Sequence, residues 1–199
     1  AARVREGYTC LKVKVGRRSL SQDIEVVSAL AESLGDAATL RLDANRAWSM
    51  ADARVFAEAV QALPVAYLEE PCGSYEDSLR LAQEAIVPIA LDESLNAMDA
   101  HQCRALTGLA AFVIKPTLSG GVSGTIPLAR AARACGAEPV ISAAFESGVG
   151  IRALAYLANF VMSPGVAAGL DTWRWLAEDV LDHDGSRCEA ELRFGSVAT

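Results

Sequence analysis

The stretch TCLKVKVG at residues 9–16 places two lysines, Lys12 and Lys14, inside a short apolar segment. Side chains alternate between the two faces of a β-strand, so both lysines share one face and the apolar residues between them share the other. An edge strand could leave both ammonium groups in water, whereas a buried strand would have to supply them with partners. The rest of the sequence decides between these two interpretations.

Strand-like segments alternate with amphipathic helical segments along the whole chain. The candidate strands occupy residues 10–15, 39–44, 65–70, 88–93, 111–116, 138–144 and 166–171. The candidate helices include residues 21–35, 49–63, 75–85 and 125–136. This alternation predicts parallel βαβ units, arranged either as a barrel or as a doubly wound sheet. No GxGxxG motif follows the first strand, which disfavours a dinucleotide-binding sheet.

The first five candidate strands each end in a charged residue, at intervals of 29, 26, 23 and 23 residues. These residues are Lys14, Asp43, Glu69, Asp92 and Lys115. Charged side chains at the carboxyl ends of successive strands are typical of the catalytic face of a TIM-type (β/α) barrel, which has eight strands. The sequence contains seven candidates. We therefore predict an α/β fold in which residues 1–199 form part of one barrel domain, namely strands two to eight with their helices and a carboxyl-terminal tail.

The three acidic residues of this set would be neighbours at the mouth of a barrel. Carboxylates gathered in a partly dehydrated mouth repel one another, and a divalent cation would remove that repulsion. Oxygen ligands without His or Cys favour a hard cation such as Mg²⁺. The alternative is that each acid is a separate N-cap or loop residue for the helix that follows it. Glu69 and Glu70 point to opposite faces of their strand, and the alternation alone does not decide which of them faces the mouth.

Lys12 and Lys14 make chemical sense as a general base and the group that tunes it. A free lysine has a pKa of about 10.4, and both desolvation and a second ammonium nearby lower that value. Lys115 would stand across the ring from them. A cation flanked by amines suits removal of the proton next to a carboxylate group. The predicted partner is therefore a small-molecule carboxylate substrate.

Composition argues against several other classes of function. The formal net charge of −7 disfavours nucleic acid and anionic membrane surfaces as partners. No apolar run is long enough for a transmembrane helix, and residues 1–10 do not resemble a signal peptide. The five cysteines form no CxxC pair, so we expect reduced thiols and a cytoplasmic protein. The histidines, His101 and His183, lie where a helix and a tail are expected, which disfavours a histidine-based triad or zinc site. The oligomeric state is left open.

Several motifs resemble those of the enolase superfamily, namely KVK, LRLDANRAW, YLEEPC, IALDESL, VIKPTLSGG, ISAAFESGVG and AGLDTWRWLAEDVL. Their order is similar to that of the muconate-lactonizing-like branch, and the combination of FESGVG with GLDT is similar to the o-succinylbenzoate synthase family within it. The resemblance covers nearly the whole chain. It implies a barrel whose first strand and amino-terminal capping domain are not in this sequence.

The resemblance also implies a role for each charged residue. The implied Mg²⁺ ligands, with Mn²⁺ as an open alternative, are Asp43, Glu69 and Asp92. Lys14 would be the general base and acid, assisted by Lys12, and Lys115 would stabilise an enediolate intermediate from the opposite face. The implied reaction is the syn dehydration of 2-succinyl-6-hydroxy-2,4-cyclohexadiene-1-carboxylate to o-succinylbenzoate, a step of menaquinone biosynthesis.

Further substrate contacts are implied at the ends of the late strands, with Thr117, Ser142, Ala143 and Gly169 binding the substrate. Small residues and backbone N–H groups can approach an anionic succinyl tail closely. Relatives often carry more serines where this chain has Ala143 and Ala144, which favours backbone contacts over hydroxyl contacts. Without a capping domain the chain would hold the catalytic residues and only part of the pocket, so we expect little activity from this segment alone.

Other functions fit the same residues. N-succinylamino-acid racemisation or dipeptide epimerisation would use Lys14 and Lys115 on opposite faces of the substrate. A dipeptide epimerase is expected to carry a DxD-type motif after its last strands, where this chain has Asp171 alone, and cycloisomerisation ranks lower. A non-catalytic barrel with a structural cation would have no need of three lysines in the ring.

Overall fold

The computed structural model describes residues 2–181, so His183, Cys188 and most of the predicted tail lie outside the described residues. The strands are β1 (Cys10–Lys14), β2 (Thr39–Asp43), β3 (Val65–Glu69), β4 (Ile89–Leu91), β5 (Ala111–Ile114) and β6 (Glu138–Ile141). The helices are α1 (Ala2–Arg5), α2 (Leu20–Leu34), α3 (Met50–Val60), α4 (Tyr75–Glu84), α5 (Ala100–Cys103), α6 (Gly121–Ala134) and α7 (Gly148–Val161). Short 3-10 helices span Gly35–Ala37, Glu93–Ala97 and Trp173–Trp175.

The six strands form one sheet in the order β1 to β6, and every neighbouring pair is parallel. The sheet curls into a half-barrel, which confirms the predicted βα barrel architecture. All six carboxyl ends therefore lie at one edge of the curl, where the charged residues were predicted to meet. Among the strands of residues 2–181, β1 pairs on one side only, with β2.

The seventh candidate strand, at residues 166–171, is not a full strand. Within the described residues it makes a single parallel bridge to the end of β6, between Ser142 and Gly169. The N–H of Gly169 donates to Ile141 O at 2.8 Å, and the N–H of Ala143 donates to Gly169 O at 2.9 Å. On its other side no described strand pairs with this segment, so it gains too few hydrogen bonds to form a ladder.

Serine side chains cap the amino-terminal ends of the first three long helices, α2, α3 and α4. Ser19 forms a full capping box with Gln22, whereas Ser49 and Ser74 accept only from the N–H groups three residues on. Ser49 and Ser74 therefore make only half of a capping box, because the Asp three residues on is shorter than Glu or Gln and does not complete the return bond. Helix α6 begins at Gly121, four residues before the predicted start.

Apolar side chains fill the space between the sheet and the helices. The largest fully buried ones include Leu40, Leu42, Leu68, Ile89, Leu91, Phe112, Ile114 and Ile141 from the strands and Phe56 from α3. The alternate strand positions carry the charged residues and face the inside of the curl. Within residues 2–181 no helix is long and apolar enough to cross a membrane.

A close contact between Gly16 and Ala47 defines where the chain turns after β1. Gly16 has φ +80, and a Cβ atom there would lie 2.4 Å from Cβ of Ala47. The N–H of Gly16 donates to Oδ2 of the buried Asp23 at 2.6 Å, and Arg18 pairs with the other oxygen of that carboxylate at 3.2 Å. The chain therefore turns at one defined point, two residues after Lys14.

Candidate active site

The strand register brings the predicted residues into one row. Lys14 is the partner of Asp43 across β1 and β2, and Asp43 is the partner of Glu69 across β2 and β3. Lys12 lies two residues before Lys14 and so shares its face. Glu69 is in turn the partner of Ala90, so Asp92, two residues later, faces the same side.

Each lysine of the set contacts a carboxylate. Lys12 Nζ lies 2.7 Å from Asp43 Oδ2 and 2.8 Å from Glu69 Oε1. Lys14 Nζ lies 2.6 Å from the same oxygen of Asp43. Lys115 Nζ pairs with Asp92 Oδ2. The lysines thus stand at the two ends of a row of three acids.

The interpretations of residues 9–16 as an edge strand in water and as a buried strand with paired lysines both hold in part. Strand β1 is an edge strand, and the side chains of Lys12 and Lys14 are 36% and 45% exposed. Their ammonium groups are nevertheless paired with carboxylates whose side chains are almost fully buried. The lysines are therefore the accessible part of the site and the acids its buried part.

The acids do not cap the helices that follow them. Ser49 caps α3 and Ser74 caps α4, several residues after Asp43 and Glu69. Asp92 precedes a 3-10 helix but its side chain makes no capping hydrogen bond. None of the three acids therefore caps a helix with its side chain, although Asp92 occupies the N-cap position of the 3-10 helix.

The charges shift one another's pKa values in different directions. Burial raises the pKa of Asp43, but the ammonium groups of Lys12 and Lys14 outweigh it and hold that pKa below its usual value. Burial also raises the pKa of Glu69, to about 8, because Lys12 offsets it only in part while Asp43 and Asp92 add to it. Neighbouring carboxylates thus disfavour ionisation of Glu69.

The expected lowering of the lysine pKa is not found at Lys12. Burial lowers its pKa, but the charges of Glu69 and Asp43 and their hydrogen bonds outweigh burial and raise the value to about 12. The spacing of the residues shows the second ammonium group, but it does not show how close Asp43 and Glu69 lie to Lys12. Lys12 is therefore a fixed positive charge in this arrangement.

The carboxylate oxygens of the three acids are of the donor type that suits a hard divalent cation. Glu69 Oε2 is buried and has no hydrogen-bond partner among the described residues, which leaves one carboxylate oxygen unused in the row. Within residues 2–181, however, no three His, Cys, Asp or Glu side chains are grouped closely enough to hold a metal ion. The ammonium groups of Lys12 and Lys115 take the carboxylate oxygens that would otherwise converge.

The choice between Glu69 and Glu70 is resolved by the register. Glu69 is level with Asp43 in the row, whereas Glu70, with φ +42, leaves the strand conformation, and its carboxylate contacts the segments that follow β2 and β4. Both side chains are fully buried, so burial alone would not distinguish them.

Asn45 was not predicted as a site residue and lies directly beside Lys14. Its Oδ1 accepts from Lys14 Nζ at 2.7 Å, and its side-chain amide donates to Glu93 Oε1 at 3.1 Å. The N–H of Asn45 donates to Asp43 Oδ1 at 3.0 Å. The third letter of the DAN motif was the signal that could have found it.

The predicted substrate contacts are occupied by the protein's own groups. Thr117 Oγ1 donates to Glu146, whose other oxygen accepts from the N–H of Ala144 at 2.6 Å. The N–H groups of Ala143 and Gly169 both donate to backbone carbonyls. Thr117 thus lies at the end of β5 and the other three predicted contacts at the end of β6, around the same mouth as the charged row.

Sequence comparison finds one matching family and several similar proteins. The family described as "Enolase C-terminal domain-like" matches residues 1–192. The chain is 43% identical over 169 residues to the o-succinylbenzoate synthase of Yersinia pseudotuberculosis, covering 83% of this chain and 51% of that protein. It is 38% identical over 198 residues to Protein PHYLLO, chloroplastic, of Arabidopsis thaliana, covering 89% of this chain and 12% of that protein.

Structural comparison gives the same architecture. The muconate lactonizing enzyme of Pseudomonas putida matches with a TM-score of 0.81 and 22% identity, over 92% of this chain and 52% of that one. The muconate lactonizing enzyme of Klebsiella pneumoniae matches with a TM-score of 0.80 and 25% identity, over 90% and 51%. The chain spans about half the length of these enzymes and of the Yersinia relative.

Proposed function

The chain belongs to the enolase C-terminal domain-like family, and on that premise we propose that the protein is a metal-dependent lyase of the o-succinylbenzoate synthase type. Its reaction would be the syn dehydration of 2-succinyl-6-hydroxy-2,4-cyclohexadiene-1-carboxylate to o-succinylbenzoate, a step of menaquinone biosynthesis in the cytoplasm. The observation that carries the proposal is the placement of Lys14 and Lys115 at opposite ends of a row of three acids.

Asp43, Glu69 and Asp92 would hold the divalent cation, Mg²⁺ or Mn²⁺, because all three offer carboxylate oxygens from neighbouring strand ends. When bound, the cation would supply positive charge beside the substrate carboxylate and acidify the neighbouring C–H. The unpartnered oxygen of Glu69 and the raised pKa of its carboxyl both fit a site that needs added positive charge.

Lys14 would move the proton. As a neutral amine it would take the proton from the carbon next to the carboxylate, and as an ammonium it would return that proton to the departing hydroxyl group. The C–H and C–O bonds break, the ring becomes aromatic, water leaves, and Lys14 regains its starting state. The contacts of Lys14 with Asp43 and Asn45 would hold its amine at the mouth.

Lys115 and Lys12 would act through charge. Lys115 stands at the far end of the row, so its ammonium could stabilise the negative charge that develops on the substrate as the proton leaves. Lys12 bridges Asp43 and Glu69 and would keep a positive charge beside Lys14.

The test is a kinetic assay on the complete natural protein. The cyclohexadiene carboxylate is added with and without Mg²⁺, and loss of the diene absorbance is followed. We expect metal-dependent loss that disappears in Lys14→Ala. No loss in a folded, metal-loaded protein would reject the dehydratase assignment, and unchanged loss in Lys14→Ala would reject the role of that lysine.

The second candidate is N-succinylamino-acid racemisation, favoured by the same pair of lysines on either side of the row. It would show as exchange of the α-proton in D₂O, lost on replacement of either Lys14 or Lys115. Dipeptide epimerisation is less favoured, because Asp171 already accepts from Tyr8 at 3.0 Å and pairs with Arg174 at 2.7 Å. A non-catalytic barrel would bind the cation but fail both assays.

A further inference from the structure

One buried carboxylate contacts the segments next to the row without belonging to it. The side chain of Glu70 is fully buried. Its Oε1 accepts from the N–H of Asp92 at 2.9 Å and from the N–H of Ser94 at 2.7 Å. Its Oε2 accepts from the hydroxyl of Ser94 at 2.9 Å and from Nε of Arg46 at 3.2 Å. A single side chain thus ties the segment after β4 to the segment after β2.

The backbone around Glu70 makes the same connection. Its N–H donates to Ala90 O at 3.0 Å, and its carbonyl accepts from the N–H of Arg46 at 2.7 Å. Glu70, Arg46 and Asn45 have φ values of +42, +63 and +47. Non-glycine residues adopt this left-handed conformation only where their surroundings hold them, and such residues cluster at functional sites.

We propose that Glu70 is a positioning residue that sets the spacing of the three cation-binding carboxylates. Asp92 follows the short strand β4 and its side chain makes no capping bond, so the contact from Glu70 fixes its backbone. Through Arg46 the same carboxylate reaches the turn that follows Asp43. The proposal rests on the metal site of the proposed function.

The spacing of the three carboxylates matters because Mg²⁺ tolerates little variation in the positions of its ligands. Mg²⁺ requires near-octahedral ligand geometry at short distances, so a small displacement of one carboxylate weakens binding. Residues that orient ligands from behind typically change metal affinity about 10–100-fold when replaced. Glu70→Ala removes the acceptors for both Asp92 and Ser94 and should fall in that range.

Conservative variants separate positioning from bulk stability. Glu70→Gln keeps one carbonyl oxygen for the N–H groups of Asp92 and Ser94, and we expect its affinity within about threefold of wild type. Glu70→Asp keeps the charge but shortens the reach, and we expect affinity at least about tenfold weaker. Glu84→Ala is the matched control, because Glu84 also pairs with an arginine, Arg54, on the outer helices.

The experiment is titration of the complete, metal-free protein with Mg²⁺ by calorimetry, without substrate, with thermal unfolding to confirm that each variant is folded. Affinity in the order wild type, Gln, Asp, Ala, with Glu84→Ala equal to wild type, supports the proposal. Wild-type affinity in folded Glu70→Ala overturns it, and if Glu70→Ala does not fold, wild-type affinity in Glu70→Asp overturns it.

Because no substrate is present, this titration is independent of the assigned reaction. A protein that fails the diene assay but follows this order of affinities loses the dehydratase assignment and keeps the positioning role. A protein that dehydrates the diene but shows no change in Glu70→Asp loses the positioning role alone. Absence of Mg²⁺ binding by the wild-type protein overturns both.

Discussion

Lys14 Nζ and Asp43 Oδ2 lie 2.6 Å apart, and Lys12 Nζ reaches the same oxygen at 2.7 Å. One carboxylate oxygen therefore receives two ammonium groups. The proposed base is held by a proposed cation ligand, so binding of a cation and the availability of the base are coupled. Replacements at either residue should be examined for both properties.

Lys14→Ala should abolish proton transfer without unfolding the protein. General acid–base catalysis contributes about 10²–10⁴-fold, and we expect the rate of diene loss to fall by that factor. The Lys14 side chain is half-exposed, so its removal leaves no cavity in the core. Steady-state kinetics with thermal unfolding measures both effects. The control is Arg17→Ala, an exposed positive charge three residues away; an equal loss of rate there would mean that net charge, not Lys14, is responsible.

Addition of a divalent cation should stabilise the metal-free protein. At a hundredfold excess over the dissociation constant, binding to the folded state alone adds about 2.7 kcal/mol to the free energy of unfolding. For a chain of this size that raises Tm by about 5–10 °C. Glu69→Gln should remove most of the shift, because it replaces the buried carboxylate of a proposed ligand by an amide. Potassium at equal ionic strength is the control, and a retained shift in Glu69→Gln would exclude that residue as a ligand.

Tyr8→Phe should weaken the contact between the start and the end of the described chain. The Tyr8 hydroxyl donates to Asp171 at 3.0 Å and accepts from Arg174 at 2.7 Å, so we expect a loss of about 1 kcal/mol. Tyr75→Phe, at an exposed tyrosine on α4, should cost less. Denaturant titrations at pH 8 measure both.

The same substitution has a pH dependence. Burial and the charge of Asp171 raise the pKa of Tyr8 to about 12, above the value in the unfolded chain. A raised pKa contributes stability that is complete below about pH 10 and is lost as pH rises to about 12. The difference in stability between wild type and Tyr8→Phe should therefore shrink between pH 10 and 12. A difference that grows over this range would contradict the assigned contact.

Gly16→Ala should destabilise the protein more than Gly35→Ala. Both glycines have positive φ, +80 and +53, so both alanines pay for a strained backbone. A Cβ at Gly16 would also lie 2.4 Å from Cβ of Ala47, whereas nothing lies within 4 Å at Gly35. Overlap of this kind costs about 1–3 kcal/mol more. Ala47→Gly should recover that excess only, and equal costs at the two glycines would disprove the close approach.

Much of the fold was readable from the sequence, because apolar periodicity and strand-end charges are local signals. The six paired strands all lie at predicted segments. The segment around Gly169 differs, since its pairing depends on a neighbouring strand rather than on its own residues. The assignment of Glu69 rather than Glu70 depended on the resemblance, because alternation gives two faces without naming them. The register supplied the physical reason.

The charged residues of the site were predictable, but their electrostatics were not. The spacing of the residues indicated that Lys12 and the acids meet. Whether the pKa of Lys12 is raised or lowered depends on distances that only the folded chain supplies. The roles of Asn45 and Glu70 likewise depend on hydrogen bonds between segments 22 to 48 residues apart. No periodicity encodes such pairs.

The contact between Tyr8 and Asp171 joins residues 163 positions apart, whereas every strand pairs with its nearest neighbour in the chain. Closing a longer loop costs more chain entropy, so strand pairs can form one after another before the two ends meet. We therefore expect local βαβ units to form before the contact between Tyr8 and Asp171. The carboxylate row, built from consecutive strands, would exist before the ends of the chain come together.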